Sequence, residues 1–202
     1  MIDGKINGIN TQVSVRAATH DDAAFIAQCV YMAFLVDLEQ FDTPKQHELL
    51  MAMKAVSERN DTLYSWCNAF IATYNGECVG MTLCYEGSRY MAMKEITMSL
   101  LCSFANDVFG KGFDEMSDET MTGEYYVDSL VVLPSFREQG IGRFLLQHCV
   151  ETADSLGLTC TLLVAPDNIR AQYLYESVGF RKSGQVWAFN EQYDRMYLTT
   201  KP

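Results

Sequence analysis

Apolar and polar positions alternate from Val13 to Ala17, the period of a half-buried strand. Thr19-His20-Asp21-Asp22 follows, with Thr19 placed as a cap and Asp22 favourable near a helix N-terminus. The helix it opens runs through Phe25 and Cys29 toward Phe34. Thr43-Pro44-Lys45-Gln46 is a stronger start, because Thr43 can cap, Pro44 suits the first helical position and Gln46 completes a capping box. It predicts a helix from Pro44 to about Ser57. Trp66 to Thr73, rich in aromatic and β-branched residues, reads as a strand. Tyr74-Asn75-Gly76-Glu77 then gives the Asn-Gly hairpin signal, both residues tolerating positive φ, and predicts a partner strand from Cys78 to Tyr85. Met93, Ile96, Leu100, Leu101, Phe104 and Val108 recur at helical spacing from about Arg89 to Val108, and Gly110-Lys111-Gly112 ends that helix. An acidic stretch follows with Asp114, Glu115, Asp118, Glu119 and Glu124, and no Lys or Arg occurs from Gly112 through Phe136.

The order beyond is regular. A strand over Tyr125–Leu133 leads to Pro134, a glycine-containing turn and a helix from about Gly140 to Leu156, closed by Gly157. Leu158–Val164 reads as a strand, and a helix starts near Asn168 and stops at Gly179. Val186–Phe189 and Tyr193–Leu198 form the expected last pair of strands. No repeat, low-complexity tract or Pro/Gly/Ser linker divides the chain, so a single domain over residues 1–202 is expected. Hairpins interleaved with helices predict a mixed α/β (α+β) sheet with helices on both faces.

Composition narrows the chemistry. The chain has 202 residues and is 49% hydrophobic, enough for a real core. Its seven cysteines (Cys29, Cys67, Cys78, Cys84, Cys102, Cys149 and Cys160) are scattered, without C-x-x-C spacing, and read as reduced residues of apolar runs, so no metal site is expected. A formal net charge of −11 argues against nucleic acid as partner and is compatible with a cationic substrate such as an amine. No apolar run approaches the ~20 residues of a membrane span, and Met1 to Lys5 lacks the apolar stretch of a signal peptide. A cytoplasmic protein is the expectation.

Val127-Asp128-Ser129-Leu130-Val131-Val132-Leu133-Pro134 followed by Arg137-Glu138-Gln139-Gly140-Ile141-Gly142-Arg143 places a buried strand before a turn that opens a helix. Free backbone N–H groups at a helix N-terminus attract anions. Gly140 and Gly142 let a phosphate approach the backbone, and Arg137 and Arg143 add matching charge. Alone, such a turn could be purely structural. A dinucleotide fingerprint is excluded because its third glycine would fall at Leu145, and a phosphate-loop NTPase because Gly-Lys-Ser/Thr is missing. Further on stands Asp167-Asn168-Ile169-Arg170-Ala171-Gln172-Tyr173-Leu174-Tyr175-Glu176-Ser177-Val178-Gly179-Phe180. With Arg/Gln-x-x-Gly-x-Gly/Ala after a central strand and Asn-x-x-Ala-x-x-Leu-Tyr-x-x-x-Gly-Phe later, the chain resembles the GNAT superfamily of acyl-CoA-dependent N-acetyltransferases. The likeness covers about residues 125–198 well and residues 13–85 only as an order of elements.

The resemblance implies a largely antiparallel, twisted sheet with a splayed central strand pair, and acetyl-CoA as cosubstrate. The backbone of Leu130, Val131 and Val132 would pair with the pantetheine arm. The turn from Arg137 through Glu138, Gln139, Gly140, Ile141 and Gly142 to Arg143 would hold the pyrophosphate. Asn168 would bond the pantetheine while capping its helix, and Tyr175 would be the general acid that protonates the departing thiolate. Glu124, Tyr126 and Asp128 share one face of a regular strand, so Asp128 is the first candidate base and Glu124 the second. Either acid could instead be structural or bind a cationic acceptor. The N–H of Val132 or a neighbour would stabilise the oxyanion. Cys149 and Cys160, inside predicted elements, disfavour an acyl-cysteine route, and His148 reads as a packing or surface residue.

Residues 87–122 replace a short connection of compact relatives. They would form a wall of the acceptor pocket with an acidic end, or pack on the fold or on a second subunit, which keeps a homodimer open. The expected activity is transfer of an acetyl group from acetyl-CoA to a primary amine of a small molecule or peptide, by direct attack in a ternary complex. The alternative is a non-catalytic acyl-CoA-binding regulatory or sensor module. An NTP- or phosphate-binding α/β domain ranks third.

Overall fold

The computed structural model describes residues 13–34, 44–109, 118–188 and 191–198. Its strands are β1 (Val13–Ala17), β2 (Ala69–Tyr74), β3 (Glu77–Glu86), β4 (Glu124–Val132), β5 (Thr159–Val164), β6 (Arg181–Ala188) and β7 (Glu191–Leu198). They form one sheet in the order β1-β2-β3-β4-β5-β7-β6, with every neighbouring pair antiparallel except β4 and β5. The Asn-Gly turn is formed as expected, with φ of 51° at Asn75 and 87° at Gly76, and it sets β2 against β3.

Helices α1 (Ala23–Phe34), α2 (Pro44–Ser57) and α3 (Tyr90–Phe109) cover one face, and α4 (Ile141–Leu156) and α5 (Ile169–Val178) the other. The first layer is glued by Ile26, Val30, Met53, Val56 and Leu101 against Ile71, Met81 and Leu83 of the sheet. The second joins Leu146, Cys149 and Ala153 of α4 to Val127, Cys160 and Leu162. Full burial of each Val, Leu, Ile or Met side chain among them contributes on the order of 1.5–3 kcal/mol. At the entry to α1, the Asp22 carboxylate accepts from the Thr19 N–H (2.7 Å) and from both Nη atoms of Arg16 (2.7 and 2.8 Å), tying β1 to the helix.

Some boundaries differ from the sequence expectation. β2 begins at Ala69, because Trp66–Asn68 form a 3-10 turn whose leading Ser65 Oγ accepts from the Cys67 N–H. The last two strands are longer than expected and start at Arg181 and Glu191. They carry polar, exposed residues, so backbone pairing and not an apolar alternation defines them. The expected end of α3 at residues 110–112, the acids Asp114 and Glu115, the cap Thr43 and Phe189 lie outside the described residues.

One glycine positions the site. A Cβ on Gly87, in the 3-10 turn before α3, would stand 2.1 Å from the Met121 carbonyl oxygen and 2.6 Å from Thr120 Oγ1. Backbone cannot yield there cheaply. Gly87→Ala is therefore expected to cost about 1–3 kcal/mol and to push the 120–121 backbone away. A thermal melt and the amide shifts of Thr120 and Met121 check both effects.

Candidate active site

β4 pairs with β5 only through Glu124–Val127 against Thr159–Leu162. Beyond that point β5 continues beside β7 while β4 continues to Val132 beside β3, so the two parallel strands part. Residues 128–132 keep one backbone edge without a strand partner. Leu133 donates its N–H to the Val79 carbonyl at 2.9 Å, and the alternation of a strand then turns the N–H and C=O of Leu130 and Val132 toward the open edge. The Val132 carbonyl there accepts from Arg137 Nε at 3.0 Å.

The edge leads into the glycine turn. Glu138 and Gly140 adopt positive φ (65° and 82°), and Gly140 caps α4. The N–H groups from Glu138 through Gly142 find no acceptor among the described residues, whereas those of Arg143 and Phe144 both donate to the Gly140 carbonyl. Five consecutive free amides at the N-terminus of a 16-residue helix make an anion cradle. The side chains play other parts than expected. Arg143 reaches away to Ser177 Oγ and C=O (both 3.1 Å), so it staples α4 to α5. A Cβ on Gly142 would lie 3.3 Å from Leu174, so this glycine also serves close helix packing. Buried Ile141 anchors the turn, while Gln139 Nε2 donates to the Ser135 carbonyl at 3.3 Å and Glu138 faces Arg170 at 3.7 Å.

Asn168 caps α5 by accepting from the Ala171 N–H at 3.1 Å. Two helical turns later, Tyr175 packs its ring against Phe180 (centroids 6.1 Å apart) in the cluster that holds Leu130 and Cys149. Burial pushes its phenol up to about 12, and no partner for its hydroxyl appears among the described residues. It therefore remains a proton donor throughout the neutral range. Cys84 and Cys149 are buried with sulfurs 3.7 Å apart, and burial raises the thiols of Cys84 and Cys160, which keeps both neutral. His148 packs edge-on to Phe70 at 4.3 Å, a packing role as expected.

The opposite sheet face carries a second group. A bulge in the β3–β4 ladder between Leu83 and Cys84 inserts Asp128, the first residue past the β4–β5 pairing. Its carboxylate accepts from Tyr85 Oη (2.6 Å) and Ser129 Oγ (2.9 Å). Nearby, Glu119 is buried and accepts from Tyr90 Oη at 3.0 Å and Tyr126 Oη at 2.8 Å. Burial, then the charge of Asp128, pushes the Glu119 carboxyl up to about 7, and burial raises Asp128 as well. Tyr64, fully enclosed, also faces both acids.

Glu124 stands apart from this pair. Both its oxygens accept from Arg195 Nη2, and its Oε2 also accepts from Thr120 Oγ1 (2.8 Å) and the Met121 N–H (3.0 Å). Those donors occupy both of its oxygens and turn it toward β7 and the 120–121 backbone. The structure thus sets Asp128 against Tyr85 and Ser129, engages Glu124 elsewhere with Arg195, and brings Glu119 and Arg195, which the sequence did not single out, into the same region. An open cleft of about 510 Å³ on this face is lined by Glu124, Thr161, Lys182 and Arg195 among others.

Comparison with known proteins gives a consistent picture. A family model described as the acetyltransferase (GNAT) family matches residues 32–180. The [ribosomal protein bS18]-alanine N-acetyltransferase of Salmonella typhimurium is 28% identical over 99 residues, which are 48% of this chain and 60% of that protein. The chain thus matches about 60% of that relative's length. Among solved structures, an N-acetyltransferase from Staphylococcus aureus Mu50 superposes with a TM-score of 0.77 at 21% identity, over 92% of this chain and 100% of the other. Arabidopsis thaliana Naa50, in complex with the bisubstrate analogue CoA-Ac-MVNAL, gives 0.51 at 16% identity, over 93% and 99%. At these identities the structural likeness speaks for the fold alone.

Proposed function

The chain belongs to the acetyltransferase (GNAT) family, and on that footing we propose that it transfers an acetyl group from acetyl-CoA to a primary amine by direct attack in a ternary complex. The observation that carries this reading is the point where β4 leaves β5. One side of it runs along an open backbone edge to the amide cradle, with Tyr175 packed alongside. The other side presents Asp128 and Glu119.

Pantetheine lying along that edge adds hydrogen bonds to Leu130 and Val132 as an extra strand would. The amides of Glu138 to Gly142 take the pyrophosphate. The outward N–H of Leu130, the neighbour nearer the parting of β4 from β5, faces the thioester oxygen as it gains charge. The acceptor arrives as an ammonium ion, drawn by a chain of net charge −11. Burial raises both acids toward the range that suits its deprotonation, and we take Glu119, the more deeply enclosed of the two and held between the Tyr90 and Tyr126 hydroxyls, as the base with Asp128 as its charged neighbour. The amine nitrogen then bonds to the acyl carbon, the C–S bond breaks, the thiolate takes the proton of Tyr175, and the second proton leaving the nitrogen restores the Tyr175 phenol through water.

CoA release from acetyl-CoA, followed with a panel of small amines, polyamines and peptides with free N-termini, tests the activity. Release with none of them would leave an acyl-CoA sensor instead. Asp128→Asn apportions the base. With its charge gone, Glu119 ionises more easily, so the acidic limb of kcat/KM should move to lower pH by about one unit with less than about a tenfold loss at pH 8. If the limb disappears in this variant, Asp128 is the base and Glu119 its neighbour.

A further inference from the structure

Glu119 lies in the irregular stretch before β4, where no helix or strand holds it. Its carboxylate is nevertheless seated against Tyr90 and Tyr126. What constrains the stretch comes from β7, which is not a neighbour of β4 in the sheet. Arg195 reaches past β5, donating from Nη1 to the Glu119 carbonyl at 2.9 Å and from Nη2 to both oxygens of Glu124. Glu124 in turn gathers Thr120 Oγ1, the Met121 N–H and, at 3.4 Å, Thr161 Oγ1 of β5. With side-chain exposures of 14% and 13%, the ion pair is shielded enough to hold geometry where a surface pair would not.

We propose that Arg195 and Glu124 are positioning residues: a clamp across β5 that sets the backbone of residues 119–121 and thereby delivers the Glu119 carboxylate to the acceptor face. The inference rests on Glu119 being the base and goes beyond that reading by naming what places it. The charged and titratable groups facing Glu119 are Tyr90 and Lys94 of α3, Tyr85 of β3, Tyr126 and Asp128 of β4, Tyr193 of β7 and Tyr64 from the segment before β2. None of them belongs to the clamp, which holds Glu119 through its backbone carbonyl.

The test titrates the Glu119 carboxyl directly, by carbon-13 NMR of protein labelled at glutamate, with its signal assigned by its loss in Glu119→Gln. Arg195→Met combined with Glu124→Gln removes both charges together, so neither is left buried alone. Arg195→Lys keeps the charge but not the forked reach, and decides the matter if the double variant fails to fold. In the intact protein the carboxyl, raised by burial and by the charge of Asp128, should titrate well above an ordinary carboxylate, at about 7. In the double variant its midpoint should fall by about one pH unit or more, toward an ordinary carboxylate, as it leaves the pocket, with Arg195→Lys falling between. Simple loss of a nearby positive charge would move it upward, so the sign separates the two causes. In parallel, kcat/KM for the amine should drop roughly 30-fold, with its acidic limb following the NMR midpoint and KM for acetyl-CoA unchanged. A lowered Tm with Glu119 titrating as before would make Arg195 a structural staple and overturn the proposal. The titration needs no turnover, so a protein that acetylates no amine would sink the proposed activity while the clamp is still judged on its own.

Discussion

Tyr175→Phe is expected to lower kcat by roughly 100-fold, at the lower end of the ~10²–10⁴ that a positioned proton donor contributes, while KM for acetyl-CoA stays put. The variant removes one oxygen and nothing else. Because that hydroxyl has no hydrogen-bond partner among the described residues, its loss breaks no internal contact, and the ring keeps its place against Phe180. Tm should therefore change by no more than a degree or two, in contrast to a truncation to alanine, which would open a cavity beside Cys149. The loss should be uniform between pH 6 and 10, since a phenol pushed up to about 12 donates throughout that range. Steady-state kinetics with saturating amine and varied acetyl-CoA measures all three parts. A kcat within a factor of about three of the parent, or a loss confined to KM, would return Tyr175 to the role of a core residue.

How legible this site was depends on which side of the sheet is considered. The donor side is local in the chain: a strand, a turn and two helix starts lie within the span from Tyr125 to Gly179, and each is written in nearby residues. Gly140 has positive φ where the turn demands it, and Asn168 caps the helix it precedes. The splay between β4 and β5 is not local in that sense: it depends on where a pairing between residues 35 positions apart ends, at Val127, and only the family resemblance implied it. What the local pattern could not show was the side-chain division of labour, in which Arg143 turns toward Ser177 and leaves the cradle to the backbone.

The acceptor side is assembled from segments far apart. Glu119 meets Tyr90 across 29 positions and Arg195 across 76, and no periodicity carries such information. One signal was present. From Gly112 through Phe136 the chain has acids and no base, so any acid of that stretch that turns inward must borrow its partners from other elements. Three tyrosines, Tyr85, Tyr90 and Tyr126, supply hydroxyls to Asp128 and Glu119, and Arg195 supplies the cation for Glu124. The strand-period argument for Glu124 and Asp128 assumed an unbroken ladder. The bulge at Asp128 and the reach of Arg195 separate the two acids into different work.

Glu119→Gln follows from the same geometry and should produce opposite effects on activity and stability. For activity, amide nitrogen and oxygen cannot take a proton near neutral pH, so kcat/KM for the amine should fall by roughly 100-fold or more and its acidic limb should vanish. For stability the sign runs the other way. The folded protein holds the Glu119 carboxyl near 7 against an ordinary 4.5, so above pH 7 folding must keep a carboxylate in a place that disfavours it. Stability attributable to this group is complete below pH 4.5 and is lost as pH rises toward 7, a difference on the order of 3 kcal/mol. Glutamine never ionises, and its amide can still meet the Tyr90 and Tyr126 hydroxyls, which rotate to suit. The variant should therefore melt higher than its parent at pH 8 and together with it near pH 4.5, which paired thermal melts at the two values measure. Asp128 adds to the effect, since it no longer faces a second negative charge. A residue that weakens the fold at working pH and carries the pH dependence of turnover is the signature of an acid kept for chemistry. A variant that melts higher but keeps the acidic limb would place the base elsewhere and leave Glu119 as an electrostatic neighbour of Asp128.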